Sequence, residues 1–83
     1  MPPDLLSPVP LTLRRIDPSR NMARFYSLSV EPTLFGDPAL VIEWGRIGTI
    51  GRRRLRLCPD LEAAVNAWRR IEKSKRQRGY RDI

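Results

Sequence analysis

The 83-residue sequence contains no histidine and a single cysteine, Cys58. Without histidine the commonest general base and neutral metal ligand are missing. One cysteine makes neither an internal disulfide framework nor a thiolate metal cluster. Cys58 stands between Leu57 and Pro59 with no histidine to activate it, and reads as a small core or edge residue rather than a nucleophile. Long apolar runs are also missing: none approaches the ~18 residues of a membrane-spanning helix. Four of the eight prolines fall in the first ten residues. Residues 1–10 are therefore expected to form an extended tail, and their apolar stretch is too short for a signal peptide. These absences point away from an enzyme, a cofactor or a membrane partner, and toward a cytoplasmic protein; its oligomeric state is not legible, and a monomer is assumed. Residues 11–83 are long enough for one small core and one domain.

What the sequence has in excess is positive charge of one kind. Sixteen Lys and Arg oppose nine Asp and Glu, for a net charge of +7, and the imbalance is uneven along the chain. Residues 1–43 carry a net −1, whereas residues 44–81 carry +9. A basic half on a small domain is the electrostatic footprint of a polyphosphate partner. Fourteen of the sixteen cations are arginine. That weighs against a merely soluble surface, because the guanidinium fork grips phosphate in a bidentate manner.

Local patterns predict four strands and a helix. Residues 11–16 (LTLRRI) alternate, and Asp17-Pro18-Ser19-Arg20-Asn21 has turn chemistry. Residues 24–30 (RFYSLSV) resume a strand with Tyr26, Leu28 and Val30 on one face. After a loop over 31–38, residues 39–47 (ALVIEWGRI) are the most strand-like segment, rich in β-branched and aromatic side chains. Gly48 to Gly51 form a turn into a partner strand, 52–57. There Leu55 and Leu57 fall on one face and Arg52, Arg54 and Arg56 on the other, so the leucines are expected to face the core. Asp60 suits an N-cap, and Leu61, Ala64, Val65, Trp68 and Ile71 make the stripe of a core-facing helix that ends near Gly79. Arg69, Arg70, Lys73, Lys75, Arg76 and Arg78 crowd its C-terminal half. The expected fold is α+β: a small open antiparallel sheet of about four strands, with one C-terminal helix packed across it.

The most informative stretch is Glu43-Trp44-Gly45-Arg46-Ile47-Gly48-Thr49-Ile50-Gly51. Trp44 and Arg46, two apart on a strand, point to the same face. Gly45 between them leaves room for a neighbouring backbone, and Gly48 and Gly51 suit positive φ. An indole beside a guanidinium can stack on a base or sugar while the cation takes a phosphate. An isolated strand tryptophan is more often plain core.

The WGRIGTIG stretch, preceded by RFYSL at residues 24–28 and followed by a strand, a helix and Gly79-Tyr80, resembles the WGR domain over residues 13–80. That family is familiar as the nucleic-acid-sensing module of some poly(ADP-ribose) polymerases and also as short bacterial proteins. The resemblance implies an open antiparallel sheet crossed by one helix, and contact with DNA near a strand end. It places Trp44 against the terminal sugar, Arg46 beside it and Arg24 near the backbone. Ala23 stands where some polymerases carry a contacting asparagine, and their C-terminal extension has no counterpart, so strict reading of a 5′ phosphate and any ADP-ribosylation role are not implied. Phe25, Tyr26, Trp68 and Tyr80 read as packing residues.

The expected function is non-catalytic binding of nucleic acid, DNA ahead of RNA, near ends, nicks or breaks. Trp44, Arg46 and Arg24 form its centre, with backbone contacts from Arg52, Arg54, Arg56, Arg69, Arg70, Lys73 and Arg76. The alternative is a protein-interaction module whose basic face docks on an acidic partner. A small nuclease is the third and weakest reading, for want of histidine and a metal cluster.

Overall fold

The computed structural model describes residues 9–82; most of the expected proline-rich tail, residues 1–8, lies outside the described residues. Four strands, β1 (Leu11–Asp17), β2 (Met22–Pro32), β3 (Pro38–Arg46) and β4 (Arg52–Leu57), pair in sequence order into one antiparallel sheet. One helix, α1 (Leu61–Gln77), follows. This is the open-sheet α+β architecture that the alternation and the helical stripe imply.

The turns follow from their residues. Pro18 opens a single 3₁₀ turn that Asp17 caps by accepting from the Ser19 N–H, and Asn21 closes it in the left-handed region at φ 50°. Between β3 and β4, Gly48 and Gly51 adopt φ of 92° and 73°, conformations that cost glycine no Cβ clash. At the start of α1 the Asp60 carboxylate accepts from the Ala63 N–H at 2.8 Å, which satisfies one of the orphan donors of the first turn. The end is a Schellman closure: Gly79 N–H donates to the Arg76 carbonyl and Tyr80 N–H to that of Lys75, with Gly79 at φ 97°.

The register decides which side chains face the helix. Leu13 lies opposite Tyr26, Tyr26 opposite Trp44, Leu28 opposite Ile42, and Val30 opposite Leu40, so these residues share one face. α1 packs chiefly over β3 on that face. Ala64 and Ala67, being small, let it close down, and Trp68 fills the core with Leu28, Leu40, Ile42 and Cys58. Trp68 and Cys58 are buried, in line with their reading as packing residues. Among the described residues no second layer covers the opposite sheet face.

On β4 the alternation holds but the faces are reversed. Trp44 lies opposite Arg52, Ile42 opposite Arg54 and Leu40 opposite Arg56, so the three arginines stand on the helix side of the sheet. Leu55 and Leu57 stand on the other side, 58 % and 72 % exposed. The reason is the helix position: α1 sits over β3 and leaves edge strand β4 unroofed. Long guanidinium stems can then run along the apolar face with their charged heads in water.

Candidate nucleic-acid interface

The end of the sheet carrying the β1–β2 and β3–β4 turns opens, on its helix side, into a cleft of about 560 Å³. Its walls include Tyr26, Trp44 and Tyr80, and its charged lining is Arg20, Arg24, Arg46, Arg54 and Lys75. Among the described residues no Asp or Glu lines it. Each of these side chains arrives by a nameable route.

Trp44 is half-buried, its ring packed partly on the core and stacked on Tyr26 with centroids 6.5 Å apart. It is therefore neither the fully exposed indole nor the plain core residue: one side packs while the other lines the cleft. Tyr80 meets Tyr26 edge-on at 6.1 Å. The Schellman turn swings Tyr80 back onto the sheet, and Arg81 then exchanges two 2.8 Å backbone hydrogen bonds with Arg14. Tyr26 and Tyr80 pack as their sequence context suggests, and both also line the cleft. Burial, with Tyr80 alongside, raises the Tyr26 phenol above its ordinary range, so it stays a neutral donor.

The cations are arranged against their own repulsion. Arg24 on β2 lies directly opposite Arg46 on β3, and Arg15 on β1 lies directly opposite Arg24. Three like charges thus cross three strands in one row, a placement that disfavours the sheet. Arg46 is held by donating to the Asn21 carbonyl at 3.2 Å and to its Oδ1 at 3.4 Å. Lys75 lies 4.5 Å from the Tyr26 ring centroid and 5.5 Å from that of Tyr80. Burial, and then Arg78 and Arg24, pull its ammonium below the ordinary lysine range. Of the lining cations only Arg20 has a carboxylate partner among the described residues, Asp17 at 3.6 Å.

Close backbone packing supports the cleft from behind. A Cβ on Gly45 would come within 2.7 Å of the Gly51 Cα, and one on Gly51 would collide with the Trp44 carbonyl. The two glycines let the β3–β4 turn fold tightly behind the tryptophan, the close approach that Gly45 suggests in the sequence.

The amino-acid sequence matches the WGR domain family over residues 9–83. The chain belongs to the WGR family. WGR domains are in general non-catalytic modules that bind nucleic acid. An uncharacterized protein, y4dW, of Sinorhizobium fredii (strain NBRC 101917 / NGR234) is 49 % identical over 74 residues, covering 89 % of this chain and 36 % of that protein. The chain thus spans about a third of the length of this relative. No solved structure matches the chain significantly. No helix among the described residues is long and apolar enough to cross a membrane.

Of the residues that the WGR resemblance and the charge pattern single out, Trp44, Arg46, Arg24 and Arg54 converge on the cleft. Arg52 and Arg56 continue Arg54's row along β4. Arg69, Lys73 and Arg76 gather instead in a separate hollow on α1 with Glu72 and Gln77, and Arg70 is exposed on the helix. Arg76 is held by Glu72 at 2.9 Å and Asp82 at 3.1 Å. Arg20, Asn21 and Lys75 line the cleft without having been assigned to the site from the sequence. Helical spacing carried the signal for Lys75: it lies four residues past Ile71 on the core-facing stripe, which therefore ends in a cation.

Proposed function

We propose that this WGR domain binds DNA at ends, nicks or breaks by seating a terminal nucleotide in the cleft. The exposed side of Trp44, supported by Tyr26, is the stacking surface. Arg24, Arg46, Arg54 and Lys75 take the adjoining phosphates. The observation that carries this reading is the placement of Arg24 directly opposite Arg46 in a cleft lined, among the described residues, by five cations and no carboxylate. Adjacent guanidiniums disfavour the free fold but are favourable once a polyanion lies between them.

The test is competition for a labelled nicked duplex by linear, nicked and covalently closed circular DNA of one sequence. Linear and nicked forms are expected to compete far better than the closed circle. Equal competition by all three would leave general backbone binding and remove the end-specific reading.

A further inference from the structure

Resting on that reading, we infer that the bound end carries a single-stranded extension, whose backbone runs out of the cleft along the arginine row of β4. Arg54 lines the cleft and also an adjoining groove of 370 Å³ that contains Tyr26, Ile42, Arg56 and Ile71. The cleft therefore does not end at Arg54 but passes into a corner with α1 on one side and the β4 row on the other. A pocket of this size, set in a corner between helix and strand, takes a single strand. A duplex is a rigid rod that cannot enter it.

The charge placement fits the same path. Arg52, Arg54 and Arg56 are exposed, stand on one side of the strand and have no ion pair among the described residues. Arg53, between them on the other face, is neutralised by Glu31 at 3.0 Å. On β4 the cations without an ion pair among the described residues thus lie on the helix side. Alternate residues of an antiparallel strand are about 6.8 Å apart. A nucleic-acid strand stretched to about twice its 3.4 Å stacked rise then meets one arginine per phosphate. Ile42 and Ile71 give the groove an apolar floor and wall on which an unpaired base can rest, as in other single-strand sites that combine a basic track with apolar contact.

The experiment measures affinities of the whole protein for one duplex in four forms: blunt, with a 5′ tail, with a 3′ tail, and as a closed circle. A tail of about six nucleotides, within the span of known single-strand sites, is expected to raise affinity roughly tenfold over the blunt end for one polarity. Its salt dependence should steepen by about 1.4, as two further phosphate contacts on a single strand, at Arg52 and Arg56, imply. Arg52→Gln with Arg56→Gln is expected to bring the tailed-to-blunt ratio close to one, with melting temperature as the check on folding. Equal affinity of wild-type protein for blunt and both tailed forms, with the circle still disfavoured, overturns this inference and leaves end binding standing. Loss of discrimination against the circle removes both.

Discussion

At the scale of single residues, the proposed reading gives Trp44 two roles, which two substitutions separate. Because it is half-buried and stacked on Tyr26, Trp44→Ala should destabilise the fold by about 1–2 kcal/mol, less than full truncation of a core aromatic. Its loss from the stacking surface should cost roughly 1–3 kcal/mol of end binding. Trp44→Phe should recover most of the melting temperature but only part of the affinity. Calorimetry and a binding titration on the same two variants check both statements. Lys75 supplies a pH signature. Its ammonium, lowered by burial and by Arg78 and Arg24, loses its proton at a pH below the ordinary lysine value of about 10.4. Deprotonation removes a phosphate ligand, so affinity should fall as pH rises into the alkaline range, while arginine contacts stay charged. Lys75→Met should bind more weakly at neutral pH and lose this alkaline decline. An identical pH profile in wild type and variant would place Lys75 outside the site.

At the scale of elements, the β3–β4 hairpin is what holds the stacking residue in place. Gly45→Ala would put a methyl 2.7 Å from the Gly51 Cα, forcing the turn away from the strand. Overpacking of this kind is expected to cost about 1–3 kcal/mol and to weaken end binding beyond what stability explains, since Trp44 moves with the turn. Thermal melts with matched binding curves test it. Helix α1 rests partly on its cap: Asp60→Ala should cost about 1 kcal/mol with binding unchanged at low temperature, because Asp60 lies outside the cleft. The elements were largely legible in the sequence. Turn residues marked the strand ends, Asp60 and Gly79 marked the helix, and Gly45 announced a close approach. The direction of β4 was not legible. Period-two alternation says which side chains share a face, but not which face the helix will cover. That depends on how far α1 reaches across the sheet, which is a tertiary fact. Lys75 reads in the sequence only as one of the late-helix cations for a related reason, since a cation continuing an apolar stripe looks like solvated helix surface until Tyr80 folds back beside it.

At the scale of the whole molecule, charge and shape act together. The net +7 is long-ranged and unspecific, and by itself fits any polyanion. The cleft converts part of it into a local site: Arg24, Arg46, Arg54 and Lys75 lack ion-pair partners among the described residues. Four phosphates neutralised there give a slope of about −3.6 for log affinity against log salt, so binding should weaken on the order of a hundredfold between about 50 and 200 mM. A near-flat response would contradict phosphate binding of any kind. The sequence revealed the basic half and the tryptophan motif, yet the cleft itself needs the fold, since β2, β3, β4 and the end of α1 must meet to build it. The most direct test follows the tryptophan. With Trp68, the buried core indole, replaced by Phe, Trp44 is the sole indole reporter. Stacking on a terminal nucleotide should quench its emission on titration with linear or nicked duplex, and closed circular DNA of the same sequence should leave it almost unchanged. Binding of linear DNA with no change in Trp44 emission, or equal quenching by the closed circle, would contradict a DNA end seated in the cleft.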